Sequence, residues 1–213
     1  MKLYDFAFSP NSRKVRAVAY ELGLTFEHVH VDLLKGASRT PAYLALNPNG
    51  RVPVLVDGDF VLWESTAILR YVAAKSGGRL LPTDIRAQAE MDRWFSWQLA
   101  HLGPAITKVA FERVVKKVLG QGAPDEEAIA AGSRDFAQLT GILDAALDGR
   151  QYVAGALSIA DFALASHYSV ASTAGLDLAP FPRVSAWLAR VLARDSMKRA
   201  LADAHATMTP NAA

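Results

Sequence analysis

Apolar positions recur along this chain with two periods, and the change from one to the other divides it. Leu3, Tyr4 and Phe6 make a short apolar strand near the N-terminus. Ser9-Pro10-Asn11-Ser12 then opens a helix, and proline suits a first turn because its missing N–H would have no partner there. Val15, Val18, Ala19 and Leu22 lie on one helical face, and Gly23 follows as a C-cap. Phe26 to Val31 alternates like a strand, and Arg39 to Leu46 reads as a short helix ended by Asn47-Pro48-Asn49-Gly50. Val54-Leu55-Val56 and Phe60-Val61-Leu62 are two apolar runs joined at Asp57-Gly58. That junction is a hairpin signal, because glycine readily takes the positive φ of a tight turn. Pro53 stands where the first run begins, a place where a missing N–H is tolerated. Glu64-Ser65 leads into a helical run from Thr66 to Lys75.

After Ser76-Gly77-Gly78-Arg79 and Leu81-Pro82 the strand period disappears. Asp84 to Lys117 predicts a long amphipathic helix or a broken pair, with a bend at Gly103-Pro104. Pro124-Asp125-Glu126-Glu127 opens a helix that runs to Leu147, with acid in its first turn. Ser158-Ile159-Ala160-Asp161 is a capping-box sequence at the head of another. The last helices are expected over residues 184–194 and 196–204, followed by a mobile tail from Ala206. The β-α-β-α-β-β-α order of the first part is the layout of a thioredoxin-like domain. The expected architecture is therefore an α/β thioredoxin-like N-terminal domain over residues 1–76, a linker over 77–86, and an all-α C-terminal helical domain over 87–213.

Composition narrows the chemistry. Half of the 213 residues are apolar and the net charge is +2, an ordinary soluble balance. The densest basic group, Arg113 with Lys116 and Lys117, reads as a solvated helix face rather than a nucleic-acid site. No apolar run is long enough to span a bilayer and no signal-peptide pattern is seen, so a cytoplasmic location is expected. Cysteine is absent, which excludes disulfides and any protein thiol nucleophile. Thiol chemistry here would need a thiol that arrives with a substrate.

One stretch concentrates ligand-binding features. A helix that starts on Ser65 presents free backbone N–H groups and a hydroxyl, which makes an anion-binding corner. Val52-Pro53 leaves an exposed backbone edge beside it. Both features suit a small peptide-like ligand.

Leu3-Tyr4 with Ser9-Pro10-Asn11-Ser12-Arg13-Lys14-Val15, the run Leu46 to Leu55 (L-N-P-N-G-R-V-P-V-L), Asp57-Gly58-Asp59 with Leu62-Trp63-Glu64-Ser65, and Ser158 to Asp161 stand in the order of a known family. In these motifs the chain resembles the cytosolic glutathione S-transferases, in particular the serine-type phi and theta classes and their bacterial relatives. The resemblance implies the fold of that family and a transferase that conjugates reduced glutathione, as co-substrate, to hydrophobic electrophiles. It implies a cis peptide before Pro53 and main-chain pairing of Val52 with the cysteinyl unit. Glu64 and Ser65 would hold the γ-glutamyl end, and Arg51 would reach a carboxylate. Ser9 would hydrogen-bond the sulfur and hold it as thiolate, with Asn11 as a second donor and Ser12 as the competitor to Ser9. A pocket for the electrophile would draw on Phe8, Trp97 and His101. A homodimer is implied, and no metal.

Each residue also has a structural reading. Ser9 and Ser12 are both N-cap candidates, Arg51 reads equally as surface charge, and Asp161 is accounted for by the capping box. Trp94, Trp97 and His101 fall at helical spacing and read as a packing stripe, with part of it available to a pocket. His28 and His30 share a strand face without a third ligand for a metal, and read as a surface pair. A glutathione-dependent peroxidase or isomerase would use the same thiolate. A non-catalytic binding or regulatory protein would keep the fold alone. Absence of cysteine weighs against thiol–disulfide exchange and against isomerases that carry a cysteine near the first helix.

Overall fold

The computed structural model describes residues 1–206, with side chains through Ala204. Residues 207–213, most of the tail expected to be mobile, lie outside the described residues. Four short strands form one sheet: β1 (Lys2–Asp5), β2 (Glu27–His30), β3 (Val54–Asp57) and β4 (Phe60–Trp63). Their order is β2-β1-β3-β4, with β2 parallel to β1 and the other pairings antiparallel. Helices α1 (Pro10–Leu22), α2 (Pro41–Leu46) and α3 (Ser65–Lys75) complete the expected β-α-β-α-β-β-α order. The β1–β3 register places Leu3 opposite Leu55 and Tyr4 opposite Val54.

Strand alternation sends these pairs to opposite faces. Leu3 and Leu55 are fully buried, as are Val15, Val18, Ile68, Leu69 and Val72. On the other face Val31, Tyr43, Val52 and Val54 form a second cluster, with Tyr4, Phe6 and Leu46 against it. That cluster seats the segment before β3. Gly58 carries φ +64° in the hairpin turn, and Gly23 caps α1 at φ +73°.

The chain divides into two compact units, residues 1–81 with the chain from 193 onward, and residues 82–192. The second unit thus stops at Leu192, short of the end expected for the helical domain. The cause is a set of polar contacts between α1 and α10 (Asp195–Ala206). Arg16 Nη1 donates to Asp203 Oδ2 at 2.9 Å, and the Tyr20 hydroxyl donates to the same oxygen at 2.5 Å. Arg194 and Ser196 both donate to the Glu21 carboxylate. The Arg199 guanidinium lies 4.0 Å from the centroid of the Tyr20 ring.

The second unit holds α4 (Ile85–Trp97), α5 (Gly103–Ala110), α6 (Lys116–Leu119), α7 (Glu126–Ala146), α8 (Ile159–Ala171) and α9 (Pro182–Leu192). The chain does not leave helix at Gly103-Pro104. Helix continues from α4 to α6 through two π turns, Gln98–Leu102 and Phe111–Val115. A π turn is wider than an α turn and absorbs an extra residue, so Pro104 enters a fresh first turn where its missing N–H is tolerated. The wider turn also lags the helical register. Trp94 is buried and meets Trp97 edge-on at 5.2 Å, whereas His101 is exposed, so the three do not form one stripe.

Helices α5 and α7 meet at Gly132, where an added Cβ would stand 2.7 Å from Val109 Cγ2. The Asp161 carboxylate at the head of α8 accepts from Ser158 N, Ser158 Oγ, Val153 N and Trp187 Nε1, all at 2.9–3.1 Å. The capping box thus also ties α9 and the preceding loop. Arg113 is exposed, as a solvated face requires, and it also donates to the Ala174 and Gly175 carbonyls past the end of α8. Lys116 pairs with Glu112 at 2.5 Å. Among the described residues, no helix is long and apolar enough to cross a membrane.

Candidate functional site

The first unit brings the starts of two helices together. Ser9 is the N-cap of α1, with extended ψ of 125° and no capping bond from its side chain. Its backbone is fully engaged: its N–H donates to Phe6 O at 2.8 Å, and its carbonyl accepts from Arg13 N at 2.9 Å. The Ser9 hydroxyl is half-buried and uncommitted to the helix. Ser12 differs. It is fully buried, and its hydroxyl accepts from Phe6 N at 3.3 Å, which fixes the loop that carries Ser9.

Asn11 sits between the two serines and faces the other helix. Ser65, buried at the first position of α3, donates from its hydroxyl to Asn11 Oδ1 at 3.3 Å. The first backbone bond of α3 runs from Ile68 N to Glu64 O at 3.0 Å. The amides of Ser65, Thr66 and Ala67 therefore have no acceptor within the helix. Their N–H dipoles and the Ser65 hydroxyl form an anion-binding corner. Glu64, exposed, caps α3 with φ +71°, a left-handed value rare for a residue with a side chain. Such a conformation costs of order 1–3 kcal/mol and clusters at ligand clamps. Here it turns the chain from β4 into α3 and places an acid beside the anion corner.

The third part is the loop before β3. The Val52–Pro53 peptide is cis, and both residues are buried. The Arg51 carbonyl next to it accepts two hydrogen bonds, from the Tyr43 hydroxyl at 2.8 Å and from Asn47 Nδ2 at 2.7 Å. Asn47 is buried, and its Oδ1 accepts from Asn49 N and Nδ2, both at 3.0 Å. The Asn47-Pro48-Asn49-Gly50 turn is thus a brace that holds the backbone of Arg51 and Val52. Sequence reasoning took Asn47 as a helix end and passed over Tyr43. It also missed Arg39, whose guanidinium packs on this turn and donates to Asn49 O at 3.3 Å. At Gly50, which has φ +60°, an added Cβ would stand 2.9 Å from the Ser38 carbonyl oxygen, so this turn requires glycine. The Arg51 side chain is exposed.

The residues assigned to an electrophile pocket are drawn from both units. Phe8 adjoins Ser9 and is half-buried, with its ring 5.6 Å from that of Phe6. Trp97 and His101 belong to the second unit. His101 lines a cavity of about 330 Å³ there, with Ala100, Pro104, Lys108, Asp135 and Leu139. His28 and His30 both meet aromatic rings, and His28 Nδ1 lies 3.8 Å from Asp5 Oδ1. Among the described residues, no group of three or more His, Cys, Asp or Glu is gathered for a metal ion.

Comparison with known proteins gives a consistent match. The model of the glutathione S-transferase N-terminal domain matches residues 1–74, and that of the glutathione S-transferase C-terminal domain matches residues 102–195. Glutathione S-transferase 3 of Zea mays is 37% identical over 209 residues, covering 95% of this chain and 93% of that protein. The solved structure of a glutathione S-transferase III in apo form superposes with a TM-score of 0.85 at 38% identity, over 98% of this chain and 97% of that one. A glutathione S-transferase I bound with lactoylglutathione gives 0.86 at 28% identity, over 94% and 98%.

Proposed function

This chain belongs to the glutathione S-transferase family and is a glutathione transferase, and we propose that it binds reduced glutathione across Arg51–Pro53 and Glu64–Ser65 and ionises its thiol beside Ser9. The observation that carries this reading is the convergence of Ser9, Asn11 and Ser65 at two helix starts, bridged by the Asn11–Ser65 hydrogen bond. The γ-glutamyl carboxylate docks on the α3 amides at Ser65, and the γ-glutamyl ammonium meets Glu64. The cysteinyl unit pairs with the Val52 main chain, held in place through the Arg51 carbonyl. Arg51 and Arg39 are the cations on the side of the glycyl carboxylate.

A thiol of ordinary pKa is only a few per cent ionised at neutral pH. A hydroxyl hydrogen bond at a helix N-terminus favours the thiolate, and each unit of lowering corresponds to about 1.4 kcal/mol. Ser9 supports this role because its hydroxyl is uncommitted, whereas that of Ser12 is engaged by Phe6 N. The thiolate attacks a hydrophobic electrophile that rests on Phe8, and catalysis is thiolate stabilisation with positioning. The test is a titration with glutathione that follows thiolate absorbance across pH. A saturable signal at neutral pH, lost in Ser9→Ala, is the expected result. Loss in Ser12→Ala with Ser9→Ala unaffected would transfer the role to Ser12.

The working unit we propose is a cytoplasmic homodimer. Support comes from the edge strand β4, where Phe60, Val61 and Trp63 are 45%, 38% and 40% exposed. Sedimentation of Val61→Glu should show a monomer if β4 is the contact.

A further inference from the structure

The cavity of about 330 Å³ in the second unit lies between the π turn with α5 on one side and α7 on the other, and it shares no residue with the proposed glutathione site. Two contacts fix how its walls run. Glu112, just past α5, accepts from Asp125 N at the head of α7 at 2.8 Å. A Cβ added at Gly132, further along α7, would stand 3.5 Å from Lys108 Cβ. The two walls are therefore antiparallel, and the Lys108 stem lies over the Gly132 turn. Asp135 follows Gly132 by three residues and shares its face. Helical side chains lean toward the N-terminus, which brings Asp135 back toward that turn. Lys108 and Asp135 thus stand at one end of the cavity. His101 precedes Lys108 by seven residues, about 10 Å along a helix axis, and marks the other end with Leu139.

The charges at the first end are opposite, yet no ion pair joins them. Among the described residues, neither Lys108 nor Asp135 has a hydrogen bond or ion pair from its side chain, and the same holds for His101 and Gln138. A simple anion would meet Lys108 but face Asp135, and a simple cation would do the reverse. A zwitterion matches both. An α-amino acid head group carries its ammonium and carboxylate on one carbon, as two unpaired opposite charges at one end of a cavity require. Beyond them Pro104 and Leu139 give the wall an apolar stretch. The volume falls at the small end of the range for small-molecule sites. We propose that this cavity is a second ligand site, which takes a free α-amino acid with an apolar side chain. The carboxylate pairs with Lys108 and the ammonium with Asp135, and the side chain runs along Pro104 and Leu139 toward His101.

The experiment follows the ring signal of His101 by NMR, assigned through its loss in His101→Gln. L-phenylalanine should shift it saturably. Phenylalaninamide, which lacks the carboxylate, and 3-phenylpropanoate, which lacks the ammonium, should each bind about tenfold more weakly. Lys108→Met should weaken L-phenylalanine about tenfold and leave phenylalaninamide unchanged. Asp135→Asn should weaken L-phenylalanine by a similar factor and leave 3-phenylpropanoate unchanged. Absence of a saturable shift overturns the proposal, as does equal affinity for the three ligands in the wild type. That comparison decides the matter even if a variant fails to fold. S-methylglutathione carries the same head group at its γ-glutamyl end and separates the two sources. A single calorimetric binding event, unchanged in Lys108→Met, assigns the cavity to the free amino acid. A second event, lost in Lys108→Met, would give the cavity to the γ-glutamyl head group and overturn the free amino acid as occupant.

Discussion

The Ser65 hydroxyl donates to the Asn11 carboxamide oxygen across 3.3 Å, so the first turns of α1 and α3 are tied at the point where glutathione is proposed to bind. Ser65 is 5% exposed, and loss of its acceptor leaves a buried hydroxyl unsatisfied. Such a loss costs roughly 1–3 kcal/mol. Asn11→Ala should therefore raise the glutathione Kd about fivefold or more and lower the melting temperature by a few degrees, about 2–4 °C per kcal/mol at this size. Asn11→Asp keeps an acceptor and should retain most of the stability. Calorimetric binding and thermal melts of the two variants check this, and identical behaviour would remove the bridge from the account.

Ser9 and Ser12 should separate by kind of effect. Ser9→Ala should fold normally and raise the pKa of bound glutathione by about one unit or more, with conjugation at neutral pH reduced about tenfold. Ser12→Ala removes the acceptor of Phe6 N in a buried place. It should lower stability by roughly 1–2 kcal/mol and affect the thiol pKa only through looser placement of Ser9. Thiolate absorbance against pH, with urea unfolding alongside, distinguishes the two.

Much of this was legible in the sequence, and the limits have physical causes. The strands, the hairpin at Gly58 and the α1 C-cap at Gly23 follow from local φ preferences and short-range periodicity. The pairing of Ser9 with Ser65 came from motif resemblance, since no local pattern joins two helix starts. Helix α10 was expected at its place in the chain but not against α1, because periodicity marks a buried face but not its partner. Arg16 and Asp203, which bring it to α1, are 187 residues apart. The π turns at Gln98–Leu102 and Phe111–Val115 were missed because a 3.6-residue template has no slot for one extra residue, and the Trp94–Trp97–His101 stripe was drawn across the first of them. Tyr43 and Asn47 act on a backbone carbonyl, which leaves no mark in composition.

That carbonyl gives the next prediction. The Tyr43 hydroxyl and Asn47 amide both donate to Arg51 O. Tyr43→Phe leaves the Asn47 bond and should cost about 1 kcal/mol, with a two- to fivefold rise in the KM for glutathione. Asn47→Ala also frees Asn49 and should cost more. Because both bonds hold one atom, the double variant should depart from additivity. Steady-state kinetics on the three proteins tests this, and additive effects on KM would mean that the two groups act separately.

The last prediction concerns acid stability. Burial alone would push the Asp5 carboxyl up, but the nearby His28 and the hydrogen bonds and charge of Arg16 outweigh it and hold the group below its ordinary value of 3.8. Arg16 meets it through Nε at 2.5 Å and Nη2 at 2.8 Å. A carboxyl whose folded pKa is depressed stabilises the fold above its unfolded pKa and loses that contribution as pH falls through the folded value. The Asp5 contribution should therefore be constant from neutrality down to about pH 5, and disappear below the ordinary carboxyl range. Arg16→Met strands a buried carboxylate and frees Asp203 of its cation. It should destabilise the protein by about 3–5 kcal/mol at pH 7. The sign of the pH dependence should also change. With its cation gone, burial raises the Asp5 pKa above the unfolded value, and mild acid then relieves the penalty by protonating the group. Urea unfolding from pH 4 to 8 should show wild-type stability falling toward the acid end, while the gap to Arg16→Met narrows there by about 1–2 kcal/mol. Asp5→Asn in the Arg16→Met background removes the stranded charge and should restore part of the loss at neutral pH. A gap that stayed constant across the range would mean that Arg16 stabilises the fold by packing rather than through the Asp5 charge.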